Sequence, residues 1–214
     1  MMNLSKYAKM IEWSLKTHND CKIFESLSPN QISSKKWLTD ELIKHLPNNI
    51  SHKIEIVGSW YGFPLLQYIH DAINFEKIEC WDIDKEARLI CKKYIEIFKY
   101  DNIFVYNKNY WEHERTASEA TLLINTSSEH MSSSFYQTKG KYGKFYHKNP
   151  LVVIQSNNMN HIEGHINCVN DEEELIIKHG IKDVLYAGNQ NIVEWNGIEI
   201  IETKYKRFMI IGKL

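Results

Sequence analysis

The stretch Lys53–Asp84, KIEIVGSWYGFPLLQYIHDAINFEKIECWDID, decides the fold. Its apolar run at Ile54, Ile56 and Val57 predicts a strand that enters a glycine-containing turn, Gly58 to Gly62. Leu65, Leu66, Ile69 and Ile73 then recur at helical spacing, which predicts an amphipathic helix beginning near Phe63. A second strand, Ile78 to Trp81, ends in two carboxylates, Asp82 and Asp84. This succession is half of a nucleotide-binding βαβ unit. Gly58 lets the backbone approach a ligand, the helix start aims its amides at the same place, and an acid at the next strand's end can bind ribose hydroxyls. Asp82 stands 24 residues after Gly58, near the roughly 20 expected between such a turn and its ribose acid.

Upstream, Leu4, Tyr7, Ala8, Ile11 and Leu15 predict a helix over 3–17, and Trp37, Leu38, Leu42, Ile43 and Leu46 another over 34–46. The link between them, ESLSPNQISSKK, is polar and proline-containing, hence an expected loop, either a plain connection or a lid over a nucleotide site. Downstream, Asp84 can cap a helix whose apolar face is Ala87, Ile90, Cys91, Tyr94, Ile95 and Phe98. Strands are expected at 102–106, 121–124 and 151–154, with a polar loop and a short helical stretch over 107–120. NDEEELIIKHG, 170–180, reads as a helix with Asn170 as cap, Glu173 completing a capping box and Gly180 as stop. Its acids suit a helix N-terminus better than a metal. The tail predicts short strands at 183–187, 192–195, 198–203 and 208–211, with Asn196-Gly197 as a type I′ hairpin turn. Apolar strands alternating with helices indicate a doubly wound, mostly parallel α/β sheet, here with N-terminal helices (1–50) and an antiparallel C-terminal hairpin closing the domain 51–214.

The 214 residues suit one domain with a large core. Twenty-six basic and 27 acidic residues leave a formal charge of −1, so no global field recruits nucleic acid or an anionic membrane. No run approaches the roughly 18 apolar residues of a membrane span, and MMNLSKYAK lacks a signal peptide's apolar segment; a cytoplasmic protein is expected. Cys21, Cys80, Cys91 and Cys168 show no C-x-x-C spacing and read as reduced thiols.

With its strand-turn-helix units and hairpin tail, the chain from Lys53 to Leu214 resembles the class I S-adenosylmethionine (SAM)-dependent methyltransferases. The resemblance implies SAM as cofactor and methyl transfer as activity. It places Glu55 beside the ligand's aminoacyl amine, the turn Gly58, Ser59, Trp60, Tyr61 and Gly62 around the methionine portion, Asp82 at the ribose, with Ile83 next to it, and Asn107 near the adenine. Asn125 would face the sulfonium and the substrate. Two departures stand out: the family's acid is followed by three alternating glycines, whereas Trp60 takes the middle place here, and Glu55 lies one position too far from Gly58. Other readings of the same turn are an NAD-dependent oxidoreductase and a non-catalytic module for RNA or protein.

Two loops at the carboxyl ends of strands carry the remaining chemistry. In NTSSEHMSSS, 125–134, Glu129 or His130 can take a proton from an attacking amine or hydroxyl that Asn125 orients, unless the serines simply cap a helix start with His130 exposed. QSNNMNHIEGHINC, 155–168, could read a substrate. Its His161, Glu163, His165 and Cys168 lack the H-E-x-x-H spacing and contain Gly164, so no metal is expected. The run SSSFYQTKGKYGKFYHK, 132–148, could stack and neutralise a nucleic acid, but aromatics packed on the sheet are the preferred reading. A small-molecule acceptor is therefore favoured, nucleic acid is not, and the oligomeric state is left open.

Overall fold

In the computed structural model the described residues are 4–19, 21–47, 49–112, 117–132, 145–146 and 149–214. Helices α1 (Leu4–Thr17), α2 (Ile23–Ser26) and α3 (Pro29–His45) precede β1 (His52–Val57), α4 (Leu65–Ala72), β2 (Phe75–Asp82), α5 (Lys85–Phe98) and β3 (Ile103–Asn107). Then come β4 (Ala117–Ser118), β5 (Leu122–Asn125), β6 (Phe145–Tyr146), β7 (Leu151–Asn157), α6 (Glu172–His179), β8 (Asp183–Trp195) and β9 (Ile200–Lys213). The seven-stranded sheet runs β3-β2-β1-β5-β7-β9-β8; all neighbours are parallel except β9, which is antiparallel to both β7 and β8. Strands β4 and β6 form a separate parallel pair.

Residues alternate between two apolar layers along each strand. Ile54, Ile56, Ile78, Cys80, Leu122, Ile124, Val153 and Met209 face α1, α3, α4 and α5, meeting Met10, Leu38, Leu66 and Tyr94. Val57, Trp81, Leu123, Val152, Ile154 and Phe208 face the layer holding Leu175 of α6 and the ring of Tyr110. Covering both faces is what a parallel sheet requires, because neither face can be left to water. It also leaves one free margin, the carboxyl ends of β1, β2, β5 and β7, where the connecting loops gather.

Several local expectations are corrected. The polar link before residue 34 is mostly helix, because Ser28 accepts a hydrogen bond from the Gln31 amide and Pro29 stands at the first helical position, where a missing N–H costs nothing. The cap of α6 is Asp171, which accepts from the Glu174 amide at 2.8 Å, while Glu174 reaches back to the Asn170 amide at 2.8 Å; the reciprocal bond is shifted one residue from the Asn170–Glu173 pair. The four short tail strands are two long ones, with register shifts between Val184 and Tyr186 and between Asn191 and Val193. The turn joining them is wider than a type I′ turn, since the Asn196 carboxamide accepts the amides of Ile198 and Glu199 and only Gly197 has a positive φ, 98°. The expected helical stretch near 107–120 is replaced, among the described residues, by a turn at Asn109 and the strand β4. All four cysteines are free thiols, as expected. Most of the basic aromatic run lies outside the described residues, whereas Tyr106 and Tyr110 pack on Trp81.

His179, in the last turn of α6, is buried with neither ring nitrogen hydrogen-bonded, and burial pushes its pKa down to about 4. An unfolded histidine protonates near 6.5, so as pH falls through that value the unfolded chain takes up a proton that the folded one refuses. Stability is then lost progressively down to about 4. Urea unfolding is expected to show a loss of about 2 kcal/mol between roughly pH 7 and pH 5 that is absent from His179→Leu; equal losses in both proteins would exclude His179 as its source.

Candidate active site

At the free margin of the sheet a cavity of about 630 Å³ opens between the β1–α4 turn and the loops after β2, β5 and β7. One wall is the glycine turn. Gly58, Trp60 and Gly62 have φ values of 65°, 48° and 81°, so the alternating left-handed backbone survives although a tryptophan stands in the middle. A non-glycine residue there costs roughly 1–2 kcal/mol, offset by what the conformation connects. The Gly58 and Ser59 amides both donate to the Trp81 carbonyl, at 2.9 and 3.1 Å, and the Trp60 amide donates to Asp82 Oδ2 at 2.7 Å. The indole stacks on Tyr61 at 4.6 Å and packs against the core beneath the N-terminal helices while still lining the cavity. The Tyr61 hydroxyl accepts from the Lys22 amide at 3.0 Å, tying the turn to the start of α2.

Asp82 ends β2 beside this turn, and its Oδ1 accepts from the Asp84 amide at 2.9 Å. Burial raises its pKa against the lowering effect of these amides. A carboxylate offers about four lone-pair sites, so acceptor capacity remains for a further donor. Ile83 is 73% exposed at the cavity. Asn107 lies behind it, donating to the carbonyls of Asp82 and Ile83 at 3.2 and 2.8 Å, and so positions the strand end instead of lining the cavity.

The opposite wall is charged. Glu129, in a single 3-10 turn after β5, is buried; its Oε1 accepts from Asn157 Nδ2 at 2.8 Å and lies 3.6 Å from the Arg207 guanidinium, while Oε2 has no partner. Lys35 of α3 is buried nearby, its pKa pushed down to about 7 by burial and by the charge of Arg207, with Glu129 pulling the other way. His130 is exposed beside it, with Nδ1 3.1 Å from the Gly164 carbonyl. Gln155 spans the end of β7 by donating to the Ser34 carbonyl at 3.1 Å, which holds α3 over this wall.

Of the residues expected at a site, Gly58, Trp60, Tyr61, Asp82, Ile83, Glu129 and His130 meet at this cavity. Glu55 does not: it sits in β1 facing away from the α4 layer, where its carboxylate accepts from the Tyr110 and Ser118 hydroxyls at 2.7 and 2.8 Å. Strand alternation explains this, because the residue two before Gly58 is Ile56 and the residue three before it faces the opposite layer. Asn125 is wholly buried and holds its own loop, accepting from the Ser127 amide at 3.0 Å. Gly62 faces the core, where an added Cβ would meet Leu66 and Cys91, and Ser59 serves through its backbone. Arg207 and Lys35 were not anticipated. Both were visible as cations inside apolar patterns, Arg207 ahead of FMII and Lys35 on the helix stripe of Leu38 and Leu42.

No protein-family model matches the sequence and no curated protein is similar to it in sequence. The structure, however, is similar to solved structures. A SAM-dependent methyltransferase from Aquifex aeolicus matches over 100% of this chain and 99% of its own, with 13% identity and a TM-score of 0.58. The fold is that of the class I SAM-dependent methyltransferases. The precorrin-6y C5,15-methyltransferase from Geobacter metallireducens shares this methyltransferase fold with 8% identity and a TM-score of 0.57, covering 82% of this chain and 87% of its own. The YcgJ protein from Bacillus subtilis aligns with a TM-score of 0.63 and 9% identity over 83% of this chain and 97% of its own.

The pairing of Glu129 with Arg207 gives a direct test of the charged wall. Arg207→Met leaves a buried carboxylate held by Asn157, and urea unfolding is expected to show a loss of about 3 kcal/mol. Adding Glu129→Gln should recover most of it; additive losses would mean that the two side chains do not act as a pair.

Proposed function

We propose that this chain is a SAM-dependent methyltransferase whose acceptor is a polar atom of a small molecule. The observation that carries the reading is the left-handed backbone kept at Gly58, Trp60 and Gly62 beside the Asp82 carboxylate. The residues present fit the cofactor. An added Cβ at Gly58 would lie 2.5 Å from the Met131 side chain, so the bare turn lets the loop after β5 close on it at the cavity, and Asp82 keeps acceptor capacity for a ribose hydroxyl. Ile83 offers an apolar surface to a base, and Trp60 and Tyr61 flank the methionine portion. Bound there, SAM supplies an electrophilic methyl group on a sulfonium.

The protein's own part falls on the charged wall. Glu129 and His130 would hold the acceptor, and a free carboxylate or imidazole there would take the proton that the acceptor gives up. Arg207 lines the cavity beside Glu129, which favours an acceptor bearing an anionic group there. Residues 1–50 act as a helical extension and lid, since Lys22, Glu25 and Gln31 reach the cavity and the Tyr61–Lys22 bond joins them to the turn. A lid keeps water from the reacting atoms.

Thermal unfolding tests the reading. At a concentration 100 times its Kd, SAM is expected to stabilise the chain by about 2.7 kcal/mol, and Asp82→Ala to abolish the shift. No shift at millimolar SAM would overturn the proposal. Trp60→Ala should weaken SAM more than the neutral thioether S-adenosylhomocysteine, by about 0.5–2 kcal/mol, if the indole faces the sulfonium charge; equal losses would leave Trp60 a packing residue.

A further inference from the structure

Beside the cavity, Glu129, His130 and His165 bring one ligand atom each to within 4.8 Å of one another. The two histidines come from separate loops that the backbone locks together. The amides of Ile166 and Asn167 both donate to the Glu129 carbonyl at 2.9 Å, and the rings of His130 and His165 meet edge to face at 4.6 Å. Each donor is prepared in a different way. The Gly164 carbonyl can only accept, so His130 Nδ1 carries the proton and Nε2 keeps its lone pair. This is how a backbone carbonyl orients a metal-bound imidazole. Asn157 and Arg207 occupy Oε1 of Glu129 and leave Oε2 buried without a partner, which is costly unless something binds it. His165 is half-buried in the loop after β7, its Nδ1 3.7 Å from the Cys168 sulfur.

We infer that Glu129, His130 and His165 bind a divalent transition-metal ion of the zinc class, with its open coordination position facing the cavity. Two imidazoles and one carboxylate are a donor set for such ions, and three protein ligands leave a place for substrate. Tetrahedral ligands at about 2.1 Å from a metal lie about 3.4 Å apart, so side-chain rotations within the present backbone close the set. Glu129 and His130 also line the cavity, which puts the open position where the acceptor binds; with the ion in place their free lone pairs hold it, and they orient the acceptor through it in place of taking its proton. The open position takes an oxygen donor. The acceptor is therefore a hydroxyl- or carboxylate-bearing small molecule whose oxygen the ion holds. This last step rests on the methyltransferase reading; the metal site does not.

The test is a titration of the untagged full chain, stripped with a chelator, with Co(II) as the probe. One equivalent is expected to produce visible d–d bands, and His130→Ala and His165→Ala are each expected to weaken binding at least about tenfold. His161→Ala, on the exposed ring stacked on Tyr205, should leave it unchanged. His165→Gln, with circular dichroism to verify folding, should repeat the loss. Unaltered Co(II) binding in the His130 and His165 variants, or no bands in the parent protein, would overturn the site. So would an intense near-ultraviolet thiolate band, which would move the ion to Cys168, 3.7 Å from His165. SAM binding is read separately, by thermal shift in the metal-free protein. A chain that binds SAM but no Co(II) overturns the metal inference alone, and one that binds Co(II) but no SAM overturns the cofactor reading alone.

Discussion

The Asp82 carboxylate organises everything at the free margin of the sheet. By accepting the Trp60 amide on one oxygen and the Asp84 amide on the other, it joins the turn after β1 to the start of α5. The Trp81 carbonyl next to it accepts the two preceding amides of the turn. Three backbone amides of a tight loop are thus satisfied from the end of one neighbouring strand, and this is what permits a tryptophan to sit in a left-handed conformation. A ligand arriving at the turn meets a backbone already shaped, with no conformational cost left for binding to supply.

The second organising contact is Glu129 with Arg207 across the β5 and β9 ends. Buried ion pairs contribute little net stability, since desolvation consumes most of the attraction. This pair lies in the wall of the cavity, where it adds little to the net stability of the fold. Here the pair leaves a carboxylate oxygen, a guanidinium Nε and a depressed lysine in one place.

Much of this was legible in the chain. The alternation of strands and helices follows from apolar runs separated by helical periods, and the turn and its acid follow from Gly58 and Asp82 at their spacing. What was hidden had specific physical reasons. A tryptophan in a left-handed conformation contradicts every local preference, so only the satisfied amides reveal that Trp60 keeps a glycine's place. Glu55 matched an expected residue type, yet strand alternation turned it to the other layer. The start of α3 was masked by polar residues, because a helix cap and a loop draw on the same serine, asparagine and proline vocabulary. The cluster of Glu129, His130 and His165 joins residues 35 positions apart in loops without periodicity, and nothing local encodes their meeting.

The hairpin at the end of the chain changes character along its length. From Lys206 to Gly212, β9 is bonded on both sides, to β7 or Asn158 beyond it and to β8; before Lys206 it pairs with β8 alone, and Trp195, Ile198 and Ile200 stand exposed around the tip. A two-stranded ribbon is marginal in water, so this arm frays as a unit of its own while the rest of the strand stays closed. Amide protons at the tip therefore trade with solvent far sooner than those of Phe208 to Ile211. The boundary between the two regimes falls at Lys206, one residue before Arg207. The guanidinium in the cavity wall is consequently insulated from the motion of the arm beside it.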